Sequence, residues 1–261
     1  MSRPGGYSAF ARYYDTFMQN VDYPKRAERL DALIRQYKRT QNRILLDLAC
    51  GTGSMSEAFA KLGYDVIGVD SSPEMLGCAM EKKLGSRLPI QYLCQDMREL
   101  DMFGTIDITV CLLDSLNHLP DLDAVKQVFA RVSLFAEPDG LFLFDVNTLY
   151  KHQQILADNA YIFENEQVYC GWDNHLCNET DVEVTLDFFE RIGDHYHRSS
   201  ECFLERAYPL PVLQAALEDA GLTVEACLDG DTYEELQETS QRALLLARKK
   251  SGKELDSALE S

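Results

Sequence analysis

The ten residues Leu45 to Ser54, LLDLACGTGS, constrain this chain more than any other stretch. An apolar run (Ile44, Leu45, Leu46) ends in a turn with glycine at 51 and 53, and a small polar residue, Ser54, then opens a helix. That order is the first strand, loop and helix of a nucleotide-binding α/β sheet. Glycines let the backbone approach a ligand closely and adopt conformations that a Cβ hinders. The loop is a poor dinucleotide fingerprint, because the third glycine of G-x-G-x-x-G falls at Ser56. Asp47, just before the turn, repels a pyrophosphate and suits a cation. The loop therefore favours a nucleoside that carries positive charge and no phosphate.

A second anchor follows at the expected distance. Asp65 to Asp70, DVIGVD, is an apolar strand ending in a carboxylate. Asp70 lies about 20 residues beyond the glycine loop, where a Rossmann-like unit places its ribose-binding acid. Ser71, Ser72, Pro73 and Glu74 read as a helix start, with a serine cap, an early proline and an early acid. A third carboxylate, Asp96, follows the short apolar run Ile90 to Cys94. It is placed to accept from an adenine amino group, with Met97 against the ring. A cationic nucleoside with these contacts is S-adenosylmethionine (SAM).

LLDLACGTGS, VIGVDSSPEML, QDMREL and CLLDSLNHL, in that order, resemble the motifs of class I SAM-dependent methyltransferases. The resemblance covers roughly residues 40 to 147 well and the rest loosely. The opening FARYYDTFMQNVDY is similar to the lead-in of small-molecule N-methyltransferases and their uncharacterised bacterial relatives. In such enzymes a tyrosine of this segment closes over the cofactor, which points to Tyr7, Tyr13 or Tyr14. The resemblance implies a cofactor site of Tyr14, Asp47, Ala49, Cys50, Gly51, Gly53, Asp70, Ser71, Met75, Asp96, Met97 and Leu113.

Alternating apolar strands and amphipathic helices imply a mostly parallel sheet with helices on both faces. The expected strands are 43–48, 65–70, 90–94, 106–112, 141–145, 222–228 and 242–248. Together they make a Rossmann-like seven-stranded sheet. After Asn147 the rhythm changes. A short helix fits residues 150–157, and residues 160–206 then alternate. VEVTLDFF puts Val182, Val184, Leu186 and Phe188 on one face. Three or four antiparallel strands are expected, including 161–170, 182–191 and 195–207, with the tightest hairpin at Gly193-Asp194. The division that follows is a lead-in and helix (1–40), a SAM-binding core (41–147), a substrate-cap insertion (148–207), a return to the core (208–250) and a polar tail (251–261).

Methyl transfer from a sulfonium is an in-line displacement, so the protein mostly positions and desolvates. No nucleophile or metal is required, and none is expected. The segment LLDSLNHL leaves the fourth strand at the edge where open α/β sheets bind ligands. Asp114, Ser115, Asn117 and His118 are therefore candidates to face the acceptor, with Asp114 and His118 as catalytic groups. A histidine can deprotonate an amine or hydroxyl near neutral pH.

Composition narrows the acceptor. With 261 residues and 46% hydrophobic content, the chain supports one substantial core and a small appended unit. The net charge of −18 repels polyanions. The densest basic group, Lys25 to Arg39, lies on a helix that also carries acids. Adenine-N6 and glutamine methyltransferases resemble one another in an N/D-P-P-Y signature, and this chain has LDSLN there. Cytosine-C5 enzymes need a nucleophilic cysteine, and Cys111 lies too early, inside a strand. A small-molecule acceptor at nitrogen or oxygen is favoured over an rRNA, tRNA or protein acceptor, and over a non-catalytic SAM-binding module. The eight cysteines form no C-x-x-C pair. Cys94, Cys111 and Cys202 read as buried thiols of a cytoplasmic protein. No signal peptide or membrane span is expected. Monomer and homodimer are equally compatible with the sequence.

Overall fold

The structure, a computed structural model, describes residues 8–250. The expectations placed on Tyr7 and on the polar tail lie outside the described residues. Two helices precede the sheet: α1 (Ser8–Phe17) and α2 (Tyr23–Tyr37). Then β1 (Ile44–Leu48), α3 (Ser54–Lys61), β2 (Asp65–Asp70), α4 (Pro73–Ser86), β3 (Gln91–Cys94), β4 (Ile106–Cys111), α5 (Leu122–Phe135) and β5 (Ala136–Asn147) alternate as expected. Ser72 and Asp121 cap α4 and α5, accepting from the amides of Met75 and Ala124. After α6 (Leu210–Asp219), β10 (Leu222–Asp229) and β11 (Arg242–Lys249) complete a seven-stranded sheet of order β10-β11-β5-β4-β1-β2-β3. β11 runs antiparallel to both its neighbours, and the other pairings are parallel.

The strands read as near-continuous apolar runs because both faces are covered. Leu45, Ile108, Leu143 and Leu246 pack beneath α2 and α3. Leu46, Phe142, Phe144 and Leu245 pack on the other side against α5 and α6. Truncating one of these buried side chains, such as Phe144→Ala, costs about 3–5 kcal/mol.

Between β5 and α6 the chain builds a separate four-stranded antiparallel sheet: β6 (Ala160–Glu164), β7 (Val168–Leu176), β8 (Asp181–Ile192) and β9 (His195–Arg206). Val182, Val184, Leu186 and Phe188 are its buried face, as their alternation predicts. Gly193 and Asp194 form the two-residue turn between β8 and β9, with Gly193 at φ +61°. Three expectations change. The single strand over 161–170 is a hairpin, because the Asn165 side chain accepts from the amides of Gln167 and Val168 and folds the chain there. The short helix after Tyr150 is one π-helical turn, Lys151–Leu156. Cys94 and Cys202 are exposed rather than buried: Cys94 ends the edge strand β3, and Cys202 lies on the outward face of β9. Cys111 is fully buried. Among the described residues no helix is long and apolar enough to cross a membrane.

Candidate active site

β1 ends in a loop that only a special backbone can make. Ala49, Gly51 and Gly53 all sit at positive φ, +59°, +55° and +75°. Gly53 is doubly required, because a Cβ there would collide with the Tyr92 ring. Asp70, at the end of β2, holds this loop. One carboxylate oxygen accepts from the Gly51 amide at 2.8 Å and the other from the Ser72 amide at 2.8 Å. Burial raises the Asp70 pKa, against those bonds. Asp47 lies deeper, 2% exposed, and accepts from the Ser56 hydroxyl at 2.5 Å. Burial pushes its pKa up to about 7.

A small pocket of about 30 Å³ lies beside the loop. Tyr14, Asp47, Ala49, Cys50, Gly51 and Leu113 line it together. Among the described residues neither Lys nor Arg lines this pocket, so the polar character they give it comes from Asp47, hydroxyls and backbone. That donor set fits the sulfonium and ammonium of SAM and does not fit a phosphate. A Cβ added at Gly51 meets nothing within 4 Å, so the loop leaves space on that side. The remaining predicted cofactor residues stand outside this pocket. Met75 is buried in the first turn of α4 and Ser71 is exposed before it. Asp96 caps the 3₁₀ turn Met97–Glu99 and pairs with Arg98, which holds its carboxyl below the usual range. Met97 packs against the core on the α5 side.

The helix α1 closes over the loop. Asp15 accepts from the hydroxyls of Thr52 at 2.7 Å and Ser54 at 3.1 Å, and pairs with Lys82 of α4. On its other side α1 meets the small sheet. Phe17 stacks on Phe188 at 5.9 Å, and the Tyr13 hydroxyl donates to Glu190. Tyr13 is therefore packing, and Tyr14 is the described tyrosine of the lead-in helix that reaches the pocket.

A second cavity, of about 610 Å³, opens between α1, α2, the ends of β4 and β5, and the small sheet. Its floor is a buried ion network. Asp145 is wholly buried and accepts from Arg26 at 2.7 Å, from Arg242 at 2.5 Å, and from the amides of Leu113 and Asp114. Arg242 also pairs with Asp114 at 2.6 Å. Burial raises the Asp114 carboxyl, but the charges of Arg242 and Lys151 outweigh it, and the group stays ionised far below the usual range. His118 is exposed at the cavity, with its ring 5.2 Å from that of Phe203. Of the other two candidates near them, Asn117 is fully buried and bridges the Asn147 amide to the Arg206 carbonyl. Ser115 bonds the carbonyl of Leu112.

Sequence reasoning missed the residues that reach this floor from later elements. Glu205 of β9 is 5% exposed, and burial followed by the charge of Asp114 raises its pKa. It accepts from Asn147 at 3.2 Å and stands 3.9 Å from the buried His152. Lys151 donates to Asn147 at 2.8 Å, and burial lowers its pKa. Asp114, His118 and Glu205 bring ligand-type atoms within 4.8 Å of one another, a grouping the sequence did not foresee. Arg242 already engages one oxygen of Asp114 there. Cys111 is buried with its pKa raised by desolvation, so it offers no thiolate nucleophile.

The chain is similar to known proteins over nearly its whole length. A methyltransferase-domain family matches residues 45–140. A protein of Geobacillus sp. (strain WCH70), named as a methyltransferase without a stated substrate, is 34% identical over 93% of this chain and 99% of its own. The crystal structure of an S-adenosylmethionine-dependent methyltransferase from Clostridium acetobutylicum superposes with a TM-score of 0.84 at 30% identity, covering 94% of this chain and 99% of that one. The sugar N-methyltransferase KedS8 of Streptoalloteichus sp. shares the fold at 21% identity, with a TM-score of 0.77 and 96% of each chain covered.

Proposed function

The chain belongs to the class I SAM-dependent methyltransferases, and from that premise we propose that it methylates a nitrogen or oxygen of a small molecule held in the 610 Å³ cavity. The observation that carries this reading is adjacency. Tyr14 and Leu113 line both the pocket at the glycine loop and the large cavity. The cavity has the volume of an ordinary small-molecule site, with an apolar side from the small sheet and charged groups from α2 and the strand ends.

Bound SAM supplies a methyl group on a sulfonium, open to in-line displacement. The chain's own residues hold, orient and dry the reactants. In this reading Asp70 takes the ribose hydroxyls and Asp96 the adenine amino group, with Ser71, Met75 and Met97 beside the base. Asp47, Ala49, Cys50, Gly51 and Gly53 take the methionine part, beneath Tyr14 and next to Leu113. His118 receives the acceptor's proton. Asp114, kept ionised by Arg242, steadies positive charge beside it instead of exchanging a proton. The insertion of residues 148–207 caps the acceptor.

The test is direct. Methyl-labelled SAM is incubated with the protein and a metabolite extract, with RNA and protein fractions in parallel. Label in the small-molecule fraction is expected. Label in RNA or protein instead overturns the small-acceptor reading, and no label anywhere overturns catalysis.

A further inference from the structure

The α2 wall of the cavity carries a charge pattern at odds with the rest of the molecule. The whole chain has 43 acids against 25 bases. Among the described residues that line the cavity the balance reverses, with five bases: Lys25, Arg26, Arg29, Lys151 and Arg242. The acids there number four: Asp22, Asp114, Glu205 and Asp231. Residues 22, 25, 26 and 29 follow helical spacing, so they form one stripe along α2. As a sequence this stripe reads as a solvated helix face, and the fold turns it toward the cavity.

These cations differ in their commitments. Arg26 and Arg242 are bound to Asp145 and Asp114 in the floor. Lys25 and Arg29 have no ion-pair partner among the described residues. Both are exposed yet line the cavity, which puts them at its rim. The two rim acids leave them free. Asp22 is occupied in capping α2 through the Lys25 amide, and the Asp231 carboxylate lies 3.9 Å from Arg242. Among the described residues Arg29 reaches the Asp231 carbonyl and the face of Tyr233. The small sheet lines the same cavity with Phe163, Trp172, Leu186 and Phe203.

We infer that the acceptor is an anion with an apolar body, whose carboxylate or phosphate group is bound at the rim by Lys25 and Arg29 while the body lies against the aromatic wall. The inference rests on the small-acceptor reading and narrows it. Two uncommitted cations concentrated at one opening of an otherwise acidic surface draw an anion in and orient it. The anionic end is then held at the rim, and the opposite end of the molecule points to the buried Glu205, with His118 beside it.

The closing experiment separates the two readings. Labelled product formed from the metabolite extract is passed over an anion exchanger, with and without prior phosphatase treatment. The label is expected in the retained fraction, and phosphatase sensitivity distinguishes a phosphate from a carboxylate. In the double variant Lys25→Glu/Arg29→Glu, KM for the purified acceptor should rise at least about tenfold, the loss of one or more charged hydrogen bonds. SAM affinity should be unchanged, which also reports that the variant is folded. Labelled product that is neutral or cationic overturns the inference and leaves the small-acceptor reading standing. A retained product whose KM ignores the charge reversal also overturns it. Absence of label in every fraction overturns both.

Discussion

Strand β4 is buried at all six positions, whereas β8 from Val182 to Phe188 is fully buried only at alternate ones. The difference follows from what covers each sheet. Helices lie on both faces of the parallel sheet, so its strands are mostly apolar and most of its polar groups collect toward the strand ends. Asp70, Leu113, Asp114 and Asn147 all stand at such ends. The small sheet has one packed face, and that face passes from a dry cluster around Phe188 to the cavity at Phe203 and Glu205. One sheet offers its polar groups at its edge, the other along its surface. In this arrangement the first should govern the cofactor and the second the acceptor.

The strongest way to break that division is at Asp145. Asp145→Ala leaves Arg26 and Arg242 as buried charges without their shared partner and should cost about 3–5 kcal/mol in urea denaturation. A loss under about 1 kcal/mol would show that the strand-end network does not hold the parallel sheet's edge together. Next comes Asp70→Ala. A hydrogen bond to a charged group contributes about 1.5–3 kcal/mol. SAM affinity measured by calorimetry should therefore fall at least about tenfold. Unchanged affinity would falsify its ribose role. On the other sheet, Trp172→Ala should raise the acceptor KM about five- to tenfold, near 1–1.4 kcal/mol, with SAM affinity within twofold. If SAM affinity moves as much as KM, the two sheets do not divide the work.

The smallest effect concerns pH. Burial raises the Asp47 pKa to about 7, so the group is mostly neutral below that pH and ionised above it. The ionised form attracts a cation, so SAM affinity should climb a few-fold as pH rises through about 7. Asp47→Asn should flatten the climb. The linkage to folding has the opposite sign. A carboxyl whose folded pKa lies above its unfolded value favours the folded state most at low pH. That contribution is lost as pH rises from about 4 to about 7.

What the sequence disclosed and what it withheld divide along the same line. The glycine loop, Asp70 and the α4 cap each depend on neighbours within a few residues, so their patterns are visible without a fold. Glu205 depends on a pairing across two sheets. Along β9 the alternation of Cys202 and Leu204 nominates those residues for the interior, and the structure places Glu201, Phe203 and Glu205 there instead. The strand reverses the usual rule because its inward face meets a polar cavity as well as a dry core. Lys25 and Arg29 were visible as a basic stretch, but only the placement of α2 makes them a rim. Tyr13 and Tyr14 are adjacent and chemically identical, and their roles separate only when α1 is seated between loop and sheet.

Arg242 has a consequence in time as well as space. It is supplied by β11, the last strand described, yet it neutralises Asp114 and Asp145, which come more than ninety residues earlier. On the ribosome those two carboxylates emerge long before their shared guanidinium. Until β11 takes its place between β10 and β5, Asp114 lacks its guanidinium partner and Asp145 has only that of Arg26. The nascent chain can therefore complete the glycine loop early, but the ion network around Asp114 and Asp145 is finished only once β11 is in place.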